Sequence, residues 1–288
     1  MTEKKTIQWL RRVPWAGEKI ADRVEGGPLV NVLRLDGVIG RTSGPRRGGM
    51  TLSDLAESIE RAFKGSQVKA VALAINSPGG SPVQSALIAT RIRALAAEND
   101  VPVFAFCEDV AASGGYWLAC AADEIFADPA SIVGSIGVVF AGFGFPEMLA
   151  KIGVERRVHT AGEKKAILDP FQDEDQGDVE ILKDLQADIH AQFKAHVRSR
   201  RGDKLQADED VLFTGEFWTG SRAHGLGLVD GLGDLRTVMR ERYGEKVRLK
   251  VVGRRRGWLE KRFGMRTEWA DDLIGAVEAR SLWARYGL

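Results

Sequence analysis

The run from Val68 to Ile75 constrains the fold most, because nearly all of its residues are apolar. A strand of this composition is buried on both faces, which is typical of a parallel sheet covered by helices. Helices are predicted on either side of it, at 52–63 from apolar residues that recur every three or four positions, and at 83–97. Further strands are predicted at 29–35, 101–106, 124–127 and 247–252. This alternation of strands and helices predicts an α/β architecture.

Two loops rich in small residues follow neighbouring strands of this pattern. Asn76–Gly80 follows the second strand, and Ala111–Gly115 follows the third. Ligands of open α/β sheets bind at the carboxyl ends of the strands. The two loops therefore predict a shared site.

Ser113 is the candidate nucleophile of this site. It stands between a strand and a short helical run, where backbone N–H groups point outward and the helix dipole favours a negative charge. This stretch taken alone favours a serine N-cap followed by a tight Gly-Gly turn, because caps are far commoner than nucleophilic serines. The same choice applies to Ser77-Pro78-Gly79-Gly80, which is either a helix-initiating turn or a source of N–H groups for an oxyanion.

A nucleophilic serine needs a base. His159 is the one histidine near the candidate loops, and no aspartate clearly supports it. A lysine can serve if burial disfavours its charged form, and Lys164 and Lys165 stand in a loop that could fold over the site. The alternative for both lysines is a solvated position in that loop.

Composition excludes several other classes of function. The net charge of +1 gives no case for a nucleic-acid partner. Cys107 and Cys120 lack metal-ligand spacing and lie in apolar runs, so buried free thiols are expected. No metal and no organic cofactor is expected.

An edge strand is predicted at 155–160, and an amphipathic helix at 176–198.

Three parts of the chain are expected: a basic amphipathic arm at 1–27, a catalytic domain at 28–240, and a basic, Trp-rich segment at 241–288. The sequence leaves open whether the terminal segments contact a membrane surface or a neighbouring subunit. No apolar run reaches the roughly 18–20 residues that span a bilayer, and no signal peptide is evident. We therefore expect a cytoplasmic location, with peripheral attachment at the inner face of the membrane left open.

Five blocks, in this order, resemble the signal peptide peptidase A family of serine–lysine peptidases. They are Asn76–Gly80, Ala111–Tyr116, Gly134–Gly137, Gly162–Lys165 with Pro170-Phe171, and Phe213–Gly215 through Gly227–Asp230. The resemblance runs from about residue 29 to residue 234. It implies a fold like that of the Clp protease and crotonases, with repeated ββα units around a parallel sheet, and here with helical terminal arms.

The resemblance also implies a role for each candidate. Ser113 would be the nucleophile, Lys165 the general base and Ser135 the residue that orients the Lys165 amine. Gly80 and Gly114 would supply the N–H groups of an oxyanion hole. Lys164 would be a bystander, and neither His159 nor Asp169 would be needed.

The resemblance further implies peptide substrates, signal-peptide remnants among them, and a homo-oligomer with its active sites near subunit contacts. Family members often carry an N-terminal membrane anchor, which this sequence does not show, so the substrate stays open. Two alternatives remain: a crotonase-type enzyme acting on acyl-CoA, and a catalytically idle, membrane-associated scaffold.

Overall fold

One eight-stranded sheet forms the centre of the computed structural model, which describes residues 27–41, 49–253 and 280–287. The strands are β1 (Leu29–Asp36), β2 (Val68–Ser77), β3 (Val103–Ala112), β4 (Glu124–Ala127), β5 (Ile132–Gly134), β6 (Phe217–Thr219), β7 (Gly231–Leu232) and β8 (Arg248–Val252). Their order is β6-β5-β3-β2-β1-β8, and β4 joins β3 to β7. Every pairing is parallel except that of β5 with β6.

Eight α-helices in the described ranges connect and cover these strands. They are α1 (Leu52–Phe63), α2 (Pro82–Asn99), α3 (Gly114–Ala119), α4 (Pro146–Lys151), α5 (Gln176–Arg201), α6 (Glu209–Leu212), α7 (Gly220–Gly225) and α8 (Leu235–Tyr243). Residues 280–284 are also helical. The α/β architecture predicted from the sequence is therefore confirmed.

Alternate residues of the central strands enter two separate apolar cores. On β2, Val71, Leu73 and Ile75 face the larger core, which includes apolar side chains of α1, α2, α3 and α5. Ala70, Ala72 and Ala74 face a smaller core closed by Val238 and Met239 of α8. Both faces of β2 are thus covered, which is the physical reason for its continuous apolar run.

Two parts of the chain differ from what the sequence predicts. The segment 155–160 is not a strand, so that prediction is wrong: it is largely exposed, and Arg156 bonds to Asp169 instead of joining a ladder. The catalytic domain was expected to end at residue 240, yet β8 pairs with β1 over Leu29–Leu33. The sheet therefore extends to Val252.

The described part of the C-terminal segment packs on the chain's own domain. Tyr286 is 8% exposed and forms a small apolar cluster with Val110 and Ala112 of β3, against which Trp283 packs. Residues 254–279 of this segment lie outside the described residues. The N-terminal arm at 1–27 lies outside the described residues, apart from Gly27.

The two cysteines are free and buried, as predicted. Burial raises the pKa of both Cys107 and Cys120 to about 12. Thiols that are buried and protonated in this way are unreactive, because the thiolate is the nucleophilic form.

Candidate active site

Ser113 adopts a backbone conformation that residues with a Cβ rarely take. It lies between β3 and α3 with φ 53° and ψ −121°. Although it occupies the N-cap position of α3, its side chain makes no capping hydrogen bond. Its N–H donates to Gly134 O at 2.8 Å. Non-glycine residues in such conformations cluster at active sites, where the surrounding structure holds them in place.

The Gly79-Gly80 turn packs directly against Ser113. A Cβ on Gly79 would stand 2.8 Å from the Ser113 Cβ, and one on Gly80 would stand 2.0 Å from Ile39 O. Both glycines have positive φ, 104° and 140°. Only glycine permits this approach of the two loops. Helix α2 is capped separately by Ser81, whose side chain accepts from Gln84 N–H.

Two backbone N–H groups stand at this point of contact. Among the described residues, neither Gly80 N–H nor Gly114 N–H has a hydrogen-bond acceptor. A Cβ on Gly114 would stand 3.4 Å from Gly80 N, so the two residues are adjacent. Free N–H groups beside a serine hydroxyl are the arrangement that stabilises an oxyanion.

Ser135 lies on the loop that follows β5. It is 7% exposed and has a φ of 54°, and its N–H donates to Glu216 O at 2.7 Å. The hydrogen bond from Ser113 N–H to Gly134 O places this loop beside Ser113. The two serines that the sequence predicted for one site therefore reach the same place from different strands.

A cavity of about 530 Å³ opens beside these groups, and Ser113, Ser135, Gly80 and Gly114 all line it. Its other walls are mainly apolar and include Trp117, Val138, Val139, Ile189, Phe193 and Leu282. A mostly apolar cleft with a few convergent polar groups is typical of a small-molecule or peptide site. In the described ranges, no group of three or more His, Cys, Asp or Glu side chains is placed to hold a metal ion.

Lys165 does not line this cavity. It is exposed, in the turn region 161–168, and its N–H donates to Gly162 O. The chain on either side of the turn is held together, because Phe145 N–H donates to Pro170 O and Arg156 pairs with Asp169 at 3.0 Å. The structure of a single chain therefore brings together four of the five predicted site residues and leaves Lys165 outside.

Lys164 has partners of its own on α5. Its Nζ donates to Asp178 at 3.0 Å and lies 3.8 Å from Asp175. The hydrogen bond to Asp178 and its charge raise the pKa of Lys164. A lysine stabilised as an ammonium ion is a poor general base.

Two features of the cavity were missed from the sequence. The Tyr286 hydroxyl donates to Ser135 Oγ at 3.4 Å, and Leu282 and Arg285 of the same segment line the cavity. His190 of α5 also lines it, with Nε2 3.1 Å from Ile136 O. The amphipathic pattern of α5 predicts that one face of this helix is packed. It does not predict which residues that face contacts, so the sequence does not single out His190.

Comparisons with known proteins identify the family of the chain. The model of Peptidase family S49 matches residues 96–248, which include Ser113, Ser135 and Lys165. The chain belongs to peptidase family S49. This confirms the resemblance to signal peptide peptidase A that the five sequence blocks indicated.

Relatives of this S49 chain carry different names. It is 52% identical to "Na(+)/H(+) antiporter NhaA" of Brucella abortus over 90% of the chain, and 32% identical to "Serine protease SPPA, chloroplastic" of Arabidopsis thaliana over 73%. The alignments cover 37% and 31% of those two proteins, so the chain spans about a third of their length.

Among solved structures, the chain is similar to a point mutant of the "1510-N membrane-bound stomatin-specific protease" that was solved in complex with a substrate peptide. The identity is 14% and the TM-score 0.49, over 87% of this chain and 98% of the other.

Within the described part of the S49 chain, no helix is long and apolar enough to cross a membrane.

The strained backbone at Ser113 predicts that glycine is tolerated better than alanine at this position, which is the opposite of the usual order in a helix. We expect Ser113→Gly to be more stable than Ser113→Ala by about 1 kcal/mol, because glycine adopts this conformation without strain. Urea unfolding of both variants measures the difference.

Ser199, which is exposed on α5, provides the matched control. There the alanine variant should be the more stable by about 1 kcal/mol, since glycine weakens a helix interior. Equal stability of the two Ser113 variants would show that the backbone at this residue is not strained.

Proposed function

We propose that this chain is a serine peptidase in which Ser113 attacks the peptide carbonyl, Lys165 is the general base and Ser135 orients the Lys165 amine. The observation that carries the proposal is Ser113 itself. Its backbone is strained, its side chain makes no capping bond to α3, and two N–H groups without an acceptor among the described residues lie beside it. A capping serine would bond to its helix, whereas a nucleophile needs a free hydroxyl. Membership of a peptidase family supports the same assignment.

The proposed reaction uses the groups around the cavity together with Lys165. The Ser113 hydroxyl adds to the peptide carbonyl carbon as its proton passes to the neutral Lys165 amine. Gly80 N–H and Gly114 N–H donate to the carbonyl oxygen, which becomes negative as the tetrahedral intermediate forms. The Lys165 ammonium then protonates the leaving amine as the C–N bond breaks. A water that loses its proton to Lys165 hydrolyses the acyl-enzyme.

The substrate is an extended peptide with apolar side chains. The cavity wall is formed mainly by apolar residues, of which Trp117 and Phe193 are stacked at 4.8 Å. Signal-peptide remnants are a fitting class, because their central region is a run of apolar residues. The serine protease name of the Arabidopsis relative is in keeping with a peptide substrate.

Lys165 is proposed to act on the Ser113 of a neighbouring subunit. It is exposed on a segment, residues 139–185, that carries most of the exposed large apolar side chains of the described chain: Val139, Phe140, Phe143, Met148, Ile152, Val154, Phe171, Ile181 and Leu185. Phe143 is 82% exposed. An apolar surface of this extent marks an interaction site, and a second copy of the chain covering it would bring the two residues together.

The assignment of the dyad predicts the behaviour of three variants. Ser113→Ala and Lys165→Ala should each lose at least about 1000-fold in peptide hydrolysis, since each removes an essential group. Lys164→Ala is the matched control and should stay within about threefold of the wild type. Hydrolysis of an apolar fluorogenic peptide, with fluorophosphonate labelling read by intact mass, measures all of them.

A wild-type protein that is folded, takes no label and hydrolyses no peptide would contradict the proposal. If it bound acyl-CoA instead, the crotonase-type alternative would replace it. If Lys164→Ala were inactive and Lys165→Ala active, the roles of the two lysines would be exchanged.

Sharing of the site between subunits has a test of its own. The inactive Ser113→Ala and Lys165→Ala chains, co-assembled in equal amounts, should regain activity, because about a quarter of the sites would pair an intact serine with an intact lysine. Each variant assembled alone is the control. A mixture as inactive as its components would show that both residues act within one chain.

The contact between Tyr286 and Ser135 predicts that removing the Tyr286 hydroxyl increases the labelling rate of Ser113. Tyr286→Phe keeps the ring beside Phe217, at 5.1 Å, but removes the hydroxyl that bonds to Ser135 Oγ. The freed Ser135 should bind the Lys165 amine more readily and raise the labelling rate of Ser113 up to about tenfold.

The control for this prediction is Tyr243→Phe. Tyr243 packs on the other face of the sheet and should leave the labelling rate unchanged. A slower reaction of Tyr286→Phe would mean that the Tyr286 hydroxyl supports Ser135 instead of competing for it.

A further inference from the structure

Helix α5 bonds through its side chains to the end of the helix that carries the nucleophile. Arg200 donates to Cys120 O and Ala122 O, both at 2.9 Å. His196 Nε2 lies 3.1 Å from Trp117 O, and its ring stacks on the Trp117 ring at 4.9 Å. The last carbonyls of a helix have no partner within it, and a cationic donor is favourable there. Helix α5 therefore anchors the carboxyl end of α3, whose amino end carries Ser113.

Two turns before His196, the same helix reaches the loop of the second serine. His190 Nε2 lies 3.1 Å from Ile136 O, the carbonyl that follows Ser135 in the chain. Because a carbonyl only accepts, His190 must carry its proton on Nε2 in this bond. One helix thus contacts the backbone of both serine-bearing elements.

The loop at Ser135 needs such support. Ser135 has a φ of 54°, which a residue with a Cβ adopts only when its surroundings hold it. Three hydrogen bonds fix its backbone region: Ser135 N–H to Glu216 O at 2.7 Å, Gly137 N–H to Ser135 O at 3.0 Å, and His190 to Ile136 O. Of these three, the His190 bond is the one made by a side chain.

His190 also differs from His196 in its surroundings. His190 lines the cavity, together with Ile189 and Phe193 of its own helix and with Ser135 and Gly137 of the loop. The ring of His196 stacks on that of Trp117, and burial lowers the pKa of His196. The contacts of His196 serve the helix packing, whereas the single bond of His190 acts on the loop that carries Ser135.

We infer that His190 is a positioning residue of this site: its Nε2–H holds the Ile136 carbonyl and thereby fixes the Ser135 hydroxyl that orients the Lys165 amine. The inference rests on the proposed function. Loss of the bond lets the Ser135 loop shift, so that the amine is misplaced relative to Ser113. The apolar walls that bind the substrate are left intact, so kcat falls while KM changes little.

Three substitutions of the same residue, His190, test this role. His190→Gln keeps an N–H donor at nearly the same distance from the backbone as Nε2, and should keep kcat within about threefold of the wild type. His190→Asn is shorter by one carbon and should lower both kcat and the Ser113 labelling rate about tenfold. His190→Leu should lower them at least as much. His224→Asn, at an exposed position on α7, is the matched control and should change neither.

Thermal unfolding and KM of the same variants separate positioning from packing. The inference predicts melting temperatures and KM values of the Gln and Asn variants close to those of the wild type. It is overturned if His190→Asn has wild-type kcat, if His190→Gln is as slow as His190→Asn, or if the substitutions raise KM alone. A wild-type protein without activity removes the proposed function and this inference together, whereas an active wild type with an unaffected His190→Asn removes only the inference.

Discussion

The hydrogen bond from Ser113 N–H to Gly134 O joins the two halves of the site, and the rest of the geometry depends on it. It ties the end of β3 to the end of β5, so that Ser113 and Ser135 line one cavity although they are far apart in the sequence. Both serines have positive φ. Such strain persists only where neighbouring bonds outweigh it, and here the packed turn at Gly79 and the donors of α5 surround the two residues.

The large apolar cores allow this local strain to persist. The central strands are covered on both faces, and their alternate side chains enter two cores, as on β2. Strand ends fixed so firmly can hold loops in conformations that a loose sheet would not hold. Helix α5 does more than bury apolar surface. Its polar side chains also bond to the backbone on which the site is built.

The exposed segment 139–185 stands in contrast to this rigid frame. It carries Lys165 and many exposed apolar side chains, and it makes few contacts with the sheet. Several of its charged residues bond to one another, as Arg156 does to Asp169 and Lys164 to Asp178. If Ser113 is the nucleophile and Lys165 the base, as proposed, this contrast between a rigid serine and an exposed lysine is consistent with a site completed by assembly.

The sequence by itself determined five of the eight strands, the long helices and the family, because apolar periodicity and short glycine-rich blocks are local properties of the chain. It also singled out Ser113, Ser135, Gly80 and Gly114, whose residue types suit their surroundings. The segment 155–160 was misjudged because a strand needs a partner, and its residues find other contacts. Only the tertiary structure decided that Tyr286 contacts Ser135, that His190 contacts the loop of Ser135, and that Lys165 lies outside the cavity of its own chain. These contacts join residues far apart in sequence, and no local pattern encodes them.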